Sequence, residues 1–180
     1  MLRIIIAVAV AVAAVMLGTG VFAIAATRPD AFRVERSATI KAPPDKIFAV
    51  INDFANWPSW SPWQKLDPAM KVTNSGPASG KGAVSAWEGN SKVGSGRTEI
   101  VESVAPTRIA MKLDMLSPME AHNIVEYTLE PKGDSTTVTW AMHGRQPLLA
   151  KVMGLFIDCE KMVGRDFEEG LANLKALTER

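Results

Sequence analysis

The chain has 180 residues, enough for one domain of ordinary size plus an extension. Its 20 basic and 19 acidic residues nearly cancel, and no basic stripe stands out to neutralise phosphates, which argues against a nucleic-acid partner. A single cysteine, Cys159, excludes an internal disulfide, and two histidines without a Cys/His cluster argue against a zinc site.

From Ile4 to Ala26 there is no charged residue. Those residues would make about 34 Å of helix, enough to cross a hydrocarbon core of roughly 30 Å. We read residues 1–26 as a transmembrane anchor, with a cleaved secretory signal ending near Ala25 as the alternative. Arg3 favours a cytoplasmic tail and an exported domain, while Arg28, Arg33 and Arg36 pull the other way. Residues 27–31 are a polar juncture, and residues 32–180 form the domain.

Phe32 to Ile40 alternates as a strand should, with Val34, Arg36, Ala38 and Ile40 on one face. Arg36 on that apolar side is either an edge arginine reaching for water or a polar group inside a cavity. Ala42-Pro43-Pro44-Asp45 starts a short helix whose apolar face holds Ile47, Phe48, Val50 and Ile51, and a second helical turn covers Phe54 to Trp57. The segment Trp57 to Trp63 then carries three of the five tryptophans and two prolines, which keep it from being a regular helix. Such a loop plugs one end of a core or lines the mouth of a ligand site.

From Met70 onward the pattern is strands and turns. Strands are expected at 70–74, 83–88, 95–104, around Ile109 to Met115, at 121–130 and through Thr136 to Met142, with a hairpin turn at Lys132-Gly133-Asp134. The glycines of 75–82 do not form a phosphate loop, because no G-K-[S/T] follows and a strand comes where a helix should. The spacing of Val152, Phe156, Cys159, Val163, Phe167, Gly170, Leu171, Leu174 and Leu177 predicts one long amphipathic helix over Pro147 to Arg180, with Cys159 buried on its apolar face. Gly164 and Gly170 each cost roughly 1 kcal/mol relative to Ala in a helix, so each suggests close approach of a strand or a bound molecule.

The expected fold is α+β: a curved antiparallel sheet wrapped around the long C-terminal helix, with two short helices after the first strand and a transmembrane helix before it. The dry faces of the strands and the facing helix supply a cavity wall of Trp60, Trp63, Trp87, Met111, Leu113, Tyr127, Trp140, Phe156 and Val163, with Arg36 as a polar group. No nucleophile–base pair, metal set or cofactor motif is present, so no catalytic residue is assigned, and His122 and His143 are read as solvent-facing.

Several stretches resemble a known family. They are Arg36-Ser37-Ala38-Thr39-Ile40-Lys41-Ala42-Pro43 leading into Ile47-Phe48, and Asp53-Phe54 with Trp57, Trp60, Ser61, Pro62 and Trp63. Val138-Thr139-Trp140 with Met142 and Gly144, and the run Gly164 to Leu174, complete the pattern. Together they resemble the START-like, helix-grip superfamily, in particular the SRPBCC group of polyketide cyclase/dehydrase-like and lipid-transport proteins. The resemblance implies a hydrophobic cavity between sheet and C-terminal helix that takes a lipid or other apolar small molecule. Three readings follow: a membrane-tethered binding domain, a cyclase or dehydratase in which Arg36 and Tyr127 orient a carbonyl substrate, or a non-catalytic interaction module with a filled core.

Overall fold

Alternation of apolar and polar residues over a half-buried surface, the signal that dominates the middle of the sequence, becomes one seven-stranded sheet. The computed structural model describes Ile6, Met16 and residues 18–180. The chain divides into two units, Arg33–Gly144 with Glu160–Arg180, and Met1–Phe32 with Arg145–Cys159.

In the larger unit the strands are β1 (Ala31–Ile40), β2 (Lys71–Ser75), β3 (Val84–Glu88), β4 (Ser95–Val104), β5 (Arg108–Ser117), β6 (Ala121–Lys132) and β7 (Ser135–Arg145). Their spatial order is β1-β7-β6-β5-β4-β3-β2. Strands β2 to β7 form an antiparallel meander, and β1 lies beside β7. Directly paired residues share a face, so the register maps the inner side in rows. One row holds Ile109, Tyr127 and Trp140; the next holds Ile100, Met111, Val125 and Met142; a third holds Thr98, Leu113, Asn123 and Gly144. The first two rows are buried, whereas Leu113, Asn123 and the neighbouring Met115 are half-buried. The inner face is thus sealed at one end and partly open at the other.

Between β1 and β2 lie α1 (Pro44–Ile51), a 3-10 helix (Phe54–Ser59) and the single turn α2 (Trp63–Leu66). Pro44 suits the first turn of α1, where its missing N–H is not needed, and Ile47, Phe48 and Ile51 are the residues α1 buries. Asp53 starts the 3-10 helix by accepting the Ala55 N–H at 2.8 Å. The turn at α2 has no counterpart among the elements expected from the sequence.

The C-terminal element differs from its expectation. The periodicity from Pro147 is real, but it is carried by two helices, α3 (Leu148–Met153) and α4 (Cys159–Thr178). In a continuous helix the Gly154 carbonyl would accept from the amide four residues on. Here it accepts from Arg28 Nη1 at 2.8 Å, and the Phe156 and Ile157 amides both turn back to the Met153 carbonyl. Cys159, expected as a buried hydrophobe, is exposed at the start of α4, and Phe156 is exposed in the turn before it. The apolar face of α4 narrows to Gly164, Phe167, Gly170, Leu171, Leu174 and Thr178, all buried.

In the smaller unit residues 18–26 are helical. The transmembrane helix expected over residues 4–26 falls largely outside the described residues, and no helix among the described residues is long and apolar enough to cross a membrane.

The two helix glycines have separate causes. A Cβ on Gly170 would lie 2.6 Å from Trp140 Cζ3 and 3.3 Å from Pro62 Cδ, so the helix lies against an indole that has nowhere to go. A Cβ on Gly164 would meet the guanidinium of Arg36, the free end of a long side chain. Gly170→Ala should therefore destabilise by about 1–3 kcal/mol through overpacking, outweighing the roughly 1 kcal/mol gained in helix propensity. Gly164→Ala should be neutral or stabilising in the same chemical denaturation experiment, because Arg36 can swing aside.

Candidate ligand site: an aromatic wall with unpartnered donors

Trp140 is the hub of the sealed end. Placed on the inner face by the β7 alternation, it stacks on Phe167 of α4 with ring centroids 4.2 Å apart and planes 12° from parallel. It also meets Tyr127 at 5.0 Å, Trp60 at 5.7 Å and Trp63 at 5.7 Å. Trp60 reaches Tyr127 at 6.3 Å and Trp57 at 5.4 Å. The tryptophan-rich loop therefore closes the end of the core, and it is held there from both sides. Trp57 Nε1 donates to the Ile51 carbonyl at 3.0 Å, and Asn173 Nδ2 of α4 donates to the Trp60 carbonyl at 3.0 Å.

Trp60, Tyr127 and Trp140 are all but completely buried. Trp60 Nε1, Trp140 Nε1 and the Tyr127 hydroxyl nevertheless have no hydrogen-bond partner among the described residues. A buried donor left unmade costs about 1–3 kcal/mol. The edge-to-face ring contacts of Trp60 offset part of this, but a contact to a π face is a weak substitute for a carbonyl or carboxylate oxygen. Burial also pushes the Tyr127 hydroxyl well above the ordinary phenol range, so it keeps its proton and can donate. Three buried donors in one apolar wall are thus unpartnered among the described residues. The fourth such atom, Thr137 Oγ1, alternates with Val138 and belongs to the other face of β7.

Other expected wall residues take different places. Met111 is buried in the row beside Tyr127, and Leu113 and Val163 are half-buried. Trp87 lies on the inner face opposite Gly96, with its Nε1 donating to the Val93 carbonyl at 3.3 Å, and shares no ring contact with the hub. Trp63 Nε1 donates to Asp166 Oδ2 at 3.3 Å. Phe156, expected in the wall, is 75% exposed. Its helical spacing misled because the helix breaks ahead of it. Arg36 does not project as a lone cation into the core. Its guanidinium bridges Glu160 at 2.9 Å and Glu168 at 2.7 Å across Gly164, which ties β1 to α4. Phe167, expected only as part of the helical stripe, and Asp166 are site residues that the sequence does not reveal, since their partners are about 27 and 103 positions away.

The outward histidines behave as expected. His143 faces Glu126 at 3.3 Å, and His122 bonds Asp114 at 2.7 Å, an interaction that raises its pKa above the usual imidazole value. Among the described residues no cluster of His, Cys, Asp or Glu could hold a metal ion.

A curved antiparallel sheet gripping a C-terminal helix, with an apolar wall between them, defines a helix-grip protein. The chain belongs to the family "Polyketide cyclase / dehydrase and lipid transport", whose pattern matches residues 31–179. No curated protein matches the chain. Among solved structures it is similar to protein CV1439 from Chromobacterium violaceum, at 16% identity and a TM-score of 0.59, covering 85% of this chain and 99% of that one. It is also similar to Aha1 from Colwellia psychrerythraea, at 14% identity and a TM-score of 0.59, covering 82% and 96%. A third is the di-domain ARO/CYC StfQ from the steffimycin biosynthetic pathway, at 11% identity and a TM-score of 0.59, covering 83% of this chain and 51% of that one. These likenesses establish a shared fold.

Two outcomes test the wall. Tyr127→Phe removes an unpartnered hydroxyl without changing shape, so the ligand-free protein should gain stability, by about 1 kcal/mol, in thermal or chemical unfolding. Asp166 gives a pH signature. Desolvation raises its pKa, ahead of the opposing Trp63 hydrogen bond. The folded state then holds the proton longer than the unfolded one, so stability falls as pH rises between the two values and the cost is complete above the folded pKa. Asp166→Asn should raise Tm at pH 7 and leave it unchanged well below the ordinary carboxyl range.

Proposed function

We propose that the larger unit binds an apolar small molecule, of lipid or polyketide character, that carries at least one hydrogen-bond-accepting oxygen. The ligand lies along the inner face of the sheet beneath α4, its polar atom toward Trp60, Tyr127 and Trp140 and its apolar body toward Met111, Leu113 and Val163. The observation that carries this reading is the set of three buried donors without partners in the aromatic wall. Membership of a family whose description includes lipid transport supports the same class of ligand. The half-buried Leu113 and Asn123, with the neighbouring Met115, offer a way in. Residues 4–26 hold the protein at a membrane with the domain on the exported side, and cleavage near Ala25 would release the same domain.

Binding is preferred over catalysis for a chemical reason. The Arg36 guanidinium is already engaged by two carboxylates, which leaves the cyclase or dehydratase reading without its cation.

A matched pair of probes tests the proposal. Fluorene and 9-fluorenone share a ring system and differ by one carbonyl oxygen. The full chain should bind fluorenone at least about tenfold more tightly, equivalent to roughly 1.4 kcal/mol, with tryptophan quenching as the readout. Tyr127→Phe should shrink that advantage while leaving fluorene affinity unchanged. Equal affinity for the two probes would refute the donor assignment, and binding of neither would refute the apolar-ligand reading.

A further inference from the structure

The smaller unit carries a surface that the ligand site does not use. Leu148, Leu149, Phe156 and Ile157 are 43%, 64%, 75% and 47% exposed, although they fall within ten residues of one another. Isolated exposed hydrophobes are ordinary, but a cluster of four large ones on a short helix and its following turn is not. The run from Arg145 to Ile157 contains two cations, Arg145 and Lys151, and no carboxylate.

This segment is strapped to the residues that leave the uncharged N-terminal stretch. Arg28 Nη1 donates to the Gly154 carbonyl at 2.8 Å, Lys151 Nζ pairs with Asp30 Oδ1 at 2.5 Å, and the Gln146 N–H donates to the Asp30 carbonyl at 2.7 Å. Lys151 is only 5% exposed, so its charge is spent on Asp30 and does not interrupt the apolar surface. The three bonds fix residues 145–154 beside the point where 23 uncharged residues end.

We propose that residues 148–157 form a membrane-surface element, in which Leu148, Leu149, Phe156 and Ile157 enter the interfacial layer of the bilayer that holds residues 4–26. The inference rests on the reading of residues 4–26 as a membrane segment. Given that segment, the juncture at residues 27–30 lies at the interface, and anything bonded to Arg28 and Asp30 lies there too. Large exposed apolar side chains suit that layer. The break between α3 and α4 then has a purpose, because it presents Phe156 and Ile157 outward where a continuous helix would have turned them along one face.

The chain's single cysteine, Cys159, is exposed two residues beyond Ile157 and serves as the reporter. Full-length protein labelled there with an NBD fluorophore would be reconstituted into phosphatidylcholine vesicles, with and without doxyl-labelled lipid. The expected result is quenching by doxyl lipid together with protection from aqueous iodide. Phe156→Ser combined with Ile157→Ser should reverse both at least several-fold, while the protein still floats with the vesicles. Quenching by iodide alone in the unsubstituted protein would overturn the proposal. A blue-shifted label that doxyl lipid does not quench would mark a protein partner or second copy on this face, and would overturn it equally. Failure of the full chain to float with vesicles would overturn the membrane-segment reading itself, and the inference with it.

Discussion

The contact between Trp140 and the C-terminal helix is the constraint on which the larger unit depends. Phe167 stacks on the indole, Gly170 lets the helix backbone come down beside it, and Tyr127, Trp60 and Trp63 surround the remaining edges. Each aromatic pair contributes about 0.5–1.5 kcal/mol beyond its buried area, so one side chain couples sheet, loop and helix. The glycine follows from the indole, because any side chain at position 170 would separate the two layers.

That packing creates the tension that defines the candidate site. A wall built for stability alone would use phenylalanine and leucine, whose rings and branches have no donors to satisfy. This wall instead buries two indole N–H groups and a phenol without partners among the described residues. Sites that carry such a cost are where local rules tend to yield to function. The sealed end holds these polar atoms, and the face toward Leu113 and Met115 is apolar and half-buried, so the two halves of one inner face differ in chemistry and in exposure.

Arg36 shows how the same element serves the fold. Its side chain leaves the inner-facing side of β1, crosses Gly164 and ends between Glu160 and Glu168. An exposed ion pair is worth little on its own. A guanidinium shared between two carboxylates two turns apart links β1 to the first half of α4, whose opening turns bury little.

Much of this protein was legible along the chain. Alternation identified β1 and β4 through β7 and put Met111, Tyr127 and Trp140 on the dry face, because a strand's side-chain period of two is a local property. Helical spacing located the buried stripe from Phe167 to Leu174 for the same reason, and the motif resemblance pointed to the family. Tertiary structure decided what local periodicity cannot encode. At the break before α4 the Gly154 carbonyl accepts from Arg28, 126 positions away, and Phe156 and Cys159 lie exposed despite a spacing that placed them inward. Arg36 became a clamp because two glutamates on a distant helix face it. The three unpartnered donors exist only once the rings of Trp60, Tyr127 and Trp140 are brought together and shut off from water. Period and composition are set by neighbours in sequence, whereas hydrogen-bond satisfaction is a property of neighbours in space.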